Sequence, residues 1–154
     1  MIRRFIDIGI AVRDLDSAME RYSQVLGVRP RMLGPEHYVY PGLKGARFYL
    51  SNATISLVTS EDTDSPIAKF ISTIGEGINH ISLEVTDLEQ DMKDFTEKGM
   101  TFLSRKPLSF PEGKVVFNHP KSTHGVQIAF VQANPGVDLL CLPDQINLHS
   151  SNPS

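Results

Sequence analysis

The sequence predicts an α+β fold in which two βαβββ modules form one curved mixed sheet around a cleft. Three observations predict it. The chain has 154 residues, a length that suits one domain. Its two halves repeat at a fixed offset. The pattern of apolar residues in each half predicts a strand, then a helix, then further strands.

The repeat is clearest at the start of each copy. A shift of 73 positions places residues 6–16 on residues 79–89 and residues 55–57 on residues 128–130. The first of these alignments superposes similar residues: Ile8 on Ile81, Val12 on Val85, Asp14 on Asp87 and Leu15 on Leu88. Because one offset holds in separate places, the chain is predicted to be a duplicated module.

Strands are predicted where apolar and β-branched residues alternate or run together. These segments are residues 5–12, 29–33, 46–51 and 54–59 in the first copy, and 79–85, 101–103, 114–118 and 125–131 in the second. Asp14 and Asp87 suit the N-caps of helices over 15–26 and 88–98. A short helix over 65–71, with Pro66 in its first turn, is predicted to join the copies.

The domain is predicted to span residues 1–132, with modules at about 5–60 and 78–132. Residues 133–154 turn polar and irregular, so they are predicted to form a C-terminal tail. Within that tail, residues 137–142 are apolar enough to dock on an apolar surface.

Composition argues against several functional classes. The only cysteine, Cys141, rules out an internal disulfide framework and a zinc site built from several cysteines. A net charge of -3 gives no support for a nucleic-acid or anionic-membrane partner. The N-terminus lacks the long uncharged run of an export signal, and no stretch approaches the ~18 apolar residues of a membrane span. We therefore expect a cytoplasmic protein.

The repeat also indicates a candidate site, because matching positions of two related modules face each other across a cleft. These pairs are Asp7 with His80 and Ser56 with Ala129, all on predicted strands. A carboxylate on the apolar strand of Asp7 is costly to bury unless it is paired, and His80 is the expected partner. Without a metal, such a pair would form a general base with an orienting carboxylate. Gln127 shares the face of Ala129 and is expected to reach the cleft.

Several strings of residues carry a family resemblance. They are residues 8–12, 64–70 (Asp-Ser-Pro-Ile-Ala-Lys-Phe), 75–81, 83–85 and 119–126, which begins His-Pro-Lys-Ser-Thr. Over roughly residues 5–132 the chain resembles the vicinal oxygen chelate superfamily, which includes glyoxalase I, extradiol dioxygenases and bleomycin-resistance proteins. Within it, the strings resemble the methylmalonyl-CoA epimerase-like branch. The resemblance implies the glyoxalase/bleomycin-resistance fold and a homodimer. It also implies a small-molecule substrate, with acyl-CoA among the candidates.

The resemblance also implies roles for individual residues. The branch holds a divalent metal with a His, a Gln or Glu, a second His and a Glu, at positions that are Asp7, Ser56, His80 and Ala129 in this sequence. A degraded site is therefore expected, with Asp7 and His80 as weak metal ligands or with no metal. Ser56, Gln127 and Ala129 are expected to contact the ligand, and Lys121 to meet the phosphates of coenzyme A. Glu36 lies near the place of a further catalytic carboxylate of the family.

The sequence leaves open two functions that belong to different classes. The first is an isomerase- or lyase-type enzyme that abstracts a proton next to a carbonyl of a small acid or acyl-CoA, with Asp7, His80 and Glu36 as catalytic residues. The second is a metal-free module that binds or sequesters a small molecule, as bleomycin-resistance proteins do.

Overall fold

A computed structural model describes residues 1–142 of the chain. Its strands are β1 (Ile2–Ala11), β2 (Arg31–Leu33), β3 (Leu43–Tyr49), β4 (Thr54–Ser60), β5 (Gly77–Val85), β6 (Leu108–Phe110), β7 (Gly113–Phe117) and β8 (Ile128–Ala133). Its helices are α1 (Leu15–Leu26), α2 (Pro66–Thr73) and α3 (Leu88–Glu97), with short 3-10 turns at Pro35–His37 and Pro120–Thr123. None of the helices in this described part has the length and apolar content to cross a membrane.

The eight strands form one mixed sheet in the order β2-β3-β4-β1-β5-β8-β7-β6. The first four strands in this order and the last four mirror each other about the central β1–β5 pair. Within each half the first and last strands of the module pair in parallel, β1 with β4 and β5 with β8, and the two halves join where β1 and β5 run antiparallel. The predicted α+β fold of two βαβββ modules is therefore confirmed.

Equivalent helices cover the outer face of each half. The side chains of Asp14 and Asp87 accept hydrogen bonds from the first turns of α1 and α3, as their N-cap positions predict. The first residue of each helix packs with residues from the strands beneath it, and they form two outer cores: Val12, Leu15, Ala46, Phe48 and Leu57 at α1, and Val85, Leu88, Val116 and Phe130 at α3. Because side chains alternate along a strand, the other residues of these strands face inward, where the candidate site lies.

The strand predicted at residues 101–103 is wrong. Phe102 forms only an isolated bridge with Asn118, and the edge strand of the second module is β6, farther along the chain. Phe102 packs against Phe130 in the outer core, with ring centroids 6.1 Å apart, so this segment fills the core rather than extending the sheet.

The segment after β8 docks on the inner face of the sheet. Leu139 is buried in a cluster with Ile6 and Val131. Asp138 accepts a hydrogen bond of 2.9 Å from Arg4 on β1. The apolar part of the predicted tail therefore packs on the domain, and the rest of that tail, residues 143–154, lies outside the described residues.

Candidate active site

The inner face of the curved sheet encloses a cavity of about 150 Å³. Most of its wall is apolar and includes Ile6, Leu43, Val58, Val115, Phe117 and Leu139. Its polar groups include Asp7, Arg47, Ser56, His80, Glu112 and Gln127. An apolar pocket into which a few polar groups converge is typical of a small-molecule site.

The structure brings together most of the residues that the sequence indicated. Asp7, Ser56, His80, Gln127 and Ala129 all line this one cavity. Their convergence follows from the repeat, because β1, β4, β5 and β8 are neighbouring strands at the centre of the sheet.

Asp7 is buried, and hydroxyl groups rather than His80 compensate for its burial. Its Oδ1 atom accepts hydrogen bonds from Thr54 Oγ1 at 2.6 Å and from Ser56 Oγ at 2.9 Å. The expected Asp7–His80 pair is wrong as a hydrogen bond. The antiparallel register of β1 and β5 places Ser82 opposite Asp7 and His80 opposite Gly9, two residues away along β1.

His80 lies flat against the backbone of β1. A Cβ atom on Gly9 would lie 2.2 Å from Cε1 of the imidazole, so the ring fits only because position 9 is glycine. Phe117 meets the ring edge-on, with centroids 5.8 Å apart. The sequence analysis identified neither Gly9 nor Phe117 as part of the site, although a glycine inside a strand is a signal of close approach by another group.

The hydrogen bond of His80 fixes its tautomer. Nδ1 lies 3.0 Å from Oδ1 of Asn79, and because an amide oxygen only accepts, the ring proton lies on Nδ1. Burial lowers the pKa of His80 below its ordinary value; the Asp7 carboxylate opposes this effect and Arg47 adds to it. At neutral pH, His80 is therefore an uncharged imidazole with the lone pair of Nε2 free to accept a proton.

Arg47 is a functional residue that the sequence analysis missed. Its Nε donates to Ser56 Oγ at 3.1 Å, and Ser56 in turn donates to Asp7, so the hydroxyl bridges the cation and the carboxylate. Burial by itself lowers the pKa of Arg47, but Asp7, Tyr49 and Glu112 outweigh it, and the net pKa is raised. A signal was present, since Arg47 stands between two residues of the outer core and must face inward.

A glutamate from the second module forms an ion pair with Arg47. Glu112, in the turn between β6 and β7, lies 3.3 Å from Nη1 of Arg47 and 3.0 Å from Nη1 of Arg31 on β2. Nδ1 of His37 lies 3.8 Å from the same carboxylate. These contacts join the two edges of the sheet across the cavity.

Tyr38 carries a buried hydroxyl that has no hydrogen-bond partner among residues 1–142. Burial raises the pKa of Tyr38 well above its ordinary value, with the charge of Arg47 opposing and that of Asp7 adding to the effect. The phenol therefore remains protonated and is a hydrogen-bond donor without an acceptor in the described chain.

Glu36 and Lys121 do not line the cavity. Glu36 is exposed on the 3-10 turn Pro35–His37, whereas His37 and the next residues, Tyr38 to Tyr40, face the cavity. Lys121 is exposed on the turn Pro120–Thr123. The structure therefore gives Glu36 no contact with the other predicted catalytic residues, and the contact of Lys121 with coenzyme A stays a prediction.

A divalent metal, which the family resemblance implies, matches these side chains poorly. No three His, Cys, Asp or Glu side chains among residues 1–142 converge as a metal centre would require. One oxygen of Asp7 already accepts hydrogen bonds from two hydroxyl groups, and the Ser56 oxygen is hydrogen-bonded to both Asp7 and Arg47. The side chain of Ala129 has no atom that can bind a metal. The fixed positive charge beside the carboxylate is a guanidinium.

Comparisons with known proteins agree with this architecture. Residues 7–117 match the model of the glyoxalase/bleomycin resistance protein/dioxygenase superfamily. The chain is similar to mitochondrial methylmalonyl-CoA epimerase of Bos taurus, with 33% identity over 84% of this chain and 74% of the relative. It is equally similar, at 33% identity over 86% of this chain and 99% of the relative, to ethylmalonyl-CoA/methylmalonyl-CoA epimerase of Cereibacter sphaeroides.

Among solved structures, the fold is similar to that of a Streptomyces coelicolor methylmalonyl-CoA epimerase variant in complex with 2-nitronate-propionyl-CoA. The TM-score is 0.76 and the identity 27%, over 86% of this chain and 99% of that one.

Proposed function

The chain belongs to the glyoxalase/bleomycin resistance protein/dioxygenase superfamily, and we propose that it is an enzyme that moves a proton at the carbon next to the carbonyl of an acyl-CoA. Its similarity to methylmalonyl-CoA epimerases supports an epimerase-like function. The observation that carries the proposal is the uncharged His80, whose Nε2 has no hydrogen-bond partner among residues 1–142 and which lines a cavity together with Asp7 and Arg47.

His80 is the proton acceptor in this proposal. Its Nε2 lone pair takes the proton from the α-carbon, the electron pair of the C–H bond becomes the C=C bond of the enolate, and the π electron pair of the carbonyl moves to its oxygen, which leaves an enolate and an imidazolium. Return of a proton to the opposite face of the planar enolate inverts the carbon, whereas return to the same face restores the starting stereoisomer. The carboxylate of Asp7 favours the charged ring and so stabilises the imidazolium while it exists.

The negative charge that develops on the carbonyl oxygen needs a donor in place before the reaction starts. The Tyr38 hydroxyl is protonated and has no acceptor in the described chain, which makes it the candidate for this role. The positive charge of Arg47 lies close enough to act on the Tyr38 phenol, so it also favours the enolate.

The cavity limits the size of the acyl group. A cavity of about 150 Å³ is comparable to one that holds a group the size of benzene, so it accepts a short acyl chain while the nucleotide part of coenzyme A stays outside. Its apolar wall suits an alkyl branch. The names of two relatives specify methylmalonyl-CoA and ethylmalonyl-CoA, and we propose acyl-CoA substrates of this class for this chain.

The test is to incubate the protein with single stereoisomers of methylmalonyl-CoA and ethylmalonyl-CoA and to follow their interconversion by chiral chromatography. We expect interconversion by the native chain and a loss of at least about a hundredfold in His80→Gln. Glu76→Gln is the matched control, because Glu76 is exposed and faces Arg13 at 3.9 Å outside the cavity. Equal rates in native protein and His80→Gln would overturn the assignment of His80.

A second function, binding without chemistry, is favoured by one specific observation. Ala129 lines the cavity without a side-chain donor, at the position where the resemblance implies a glutamate. Saturable binding of an acyl-CoA with no change of either stereoisomer after long incubation would support this function over the enzyme.

A further inference from the structure

Two arginines of the first module hold the Glu112 carboxylate of the second. One oxygen of Glu112 faces Arg31 and the other faces Arg47, at 3.0 and 3.3 Å. Arg47 and Glu112 line the cavity, and Arg31 lies beside them. The three side chains keep 17 to 23% of their surface exposed, so they are not sealed inside the protein. We refer to Arg31 and Arg47 as the two-arginine seat.

The seat is held in place without Glu112. Arg47 donates to Ser56 Oγ at 3.1 Å, and Arg31 donates to Tyr49 Oη at 3.2 Å. Both guanidinium groups therefore keep a fixed position when the glutamate side chain moves away.

The turn that carries Glu112 is also anchored independently of its side chain. The backbone amide of Asn134 donates to the Glu112 carbonyl at 2.9 Å, and its side-chain amide donates to the Pro111 carbonyl at 3.0 Å. Rotation of the Glu112 side chain is then enough to open the seat, with no movement of β6 or β7.

The charges of this cluster favour an anion that replaces the Glu112 carboxylate over an anion that binds in addition to it. Arg31 and Arg47 balance Asp7 and Glu112, so a further anion in this partly buried region would leave one negative charge uncompensated. An anion that replaces Glu112 keeps the balance. The present occupant of the seat is a carboxylate with one oxygen bound to each arginine, and such charge-assisted hydrogen bonds are stronger than neutral ones.

We propose that Arg31 and Arg47 bind the free carboxylate of a dicarboxylic acyl ligand, and that the Glu112 side chain fills their seat until the ligand displaces it. The inference rests on the proposed function for the identity of the ligand as an acyl-CoA. It adds a specificity rule: an acyl-CoA that lacks a second carboxylate cannot displace Glu112 and binds more weakly.

Isothermal titration calorimetry with methylmalonyl-CoA and propionyl-CoA tests the proposal, because the two ligands share coenzyme A and differ by one carboxylate. We expect the native chain to bind methylmalonyl-CoA more tightly. Glu112→Gln, which removes the competing anion, should tighten methylmalonyl-CoA binding by about tenfold. Arg31→Gln should abolish the preference between the two ligands, and the exposed control Glu76→Gln should leave both affinities unchanged.

The outcomes separate this proposal from the proposed function. A native chain that shows no preference overturns the seat even if it epimerises its substrate, and a preference in a chain with no turnover supports the seat alone. Equal tightening of both ligands in Glu112→Gln would show that the seat takes the shared phosphates, which overturns the carboxylate assignment. Near-ultraviolet circular dichroism checks the fold of Arg31→Gln; if it is unfolded, Glu112→Gln decides, since no tightening of methylmalonyl-CoA binding contradicts the proposal.

Discussion

At the scale of single residues, the chemistry proposed for His80 depends on the groups that touch it. Asn79 places the ring proton on Nδ1, Gly9 leaves space for the ring, and burial keeps it uncharged. The sequence was sufficient to identify His80 as a candidate, because it stands 73 positions from Asp7. It was insufficient to predict the partner of Asp7, because the antiparallel register sets His80 opposite Gly9 while the neighbouring strand β4 brings the hydroxyl groups of Thr54 and Ser56 to the carboxylate.

The lowered pKa of His80 predicts a dependence of stability on pH. The unfolded chain protonates this ring at its ordinary pKa of 6.5, whereas the folded chain resists protonation until a lower pH. Below 6.5 the unfolded state therefore binds more protons, and the free energy of unfolding falls as pH falls toward the folded pKa. Urea denaturation between pH 7.5 and 5 should show a steeper loss for the native chain than for His80→Gln. Parallel curves would contradict the lowered pKa.

At the scale of secondary-structure elements, strand pairing decides which residues share the cavity. The helices and the central strands were predictable, because their caps and apolar periods repeat in both copies. The edge strand β6 was not predictable, because Phe102 satisfies the apolar pattern of a strand while packing into the outer core. Arg47 was missed for a similar reason: its role depends on Ser56 and Glu112, which lie on a neighbouring strand and on the opposite module.

Gly9→Ala tests the contact between β1 and β5. The added methyl group would overlap the His80 ring at 2.2 Å, so the ring must leave its place against the backbone of β1. We expect a loss of activity of about tenfold or more, since small misplacement of a catalytic group is costly. Gly27→Ala is the comparison variant, because its new methyl group meets no atom within 4 Å; the strained φ of 72° affects its stability but not the site. Full activity in Gly9→Ala would contradict the placement of His80.

At the scale of the whole molecule, contacts between distant segments close the cavity. Glu112 joins the two edges of the sheet, and the segment after β8 contributes Leu139 to the cavity wall. The sequence predicted the docking of this apolar segment but not its place, because nothing in the local pattern specifies the surface on which it packs. The expected homodimer and cytoplasmic location stay predictions.

Leu139→Ala tests the contribution of the C-terminal segment. Leu139 keeps 7% of its surface exposed and packs with Ile6 and Val131, so its truncation should lower the free energy of unfolding by about 2 to 4 kcal/mol. Leu103→Ala is the control, since Leu103 is 47% exposed and its truncation should cost about 0.5 kcal/mol or less. Equal midpoints in urea for Leu139→Ala and the native chain would show that the segment does not pack as described.

The central claim is that His80 removes a proton from the carbon next to an acyl-CoA carbonyl. The most direct measurement is the exchange of that proton for deuterium, followed by proton NMR of methylmalonyl-CoA in heavy water, because exchange reports the abstraction step whatever product follows. We predict loss of the α-proton signal with native protein and with Glu76→Gln, and retention of the signal with His80→Gln. No exchange above the protein-free rate with the native chain, or equal exchange with His80→Gln, would contradict the claim.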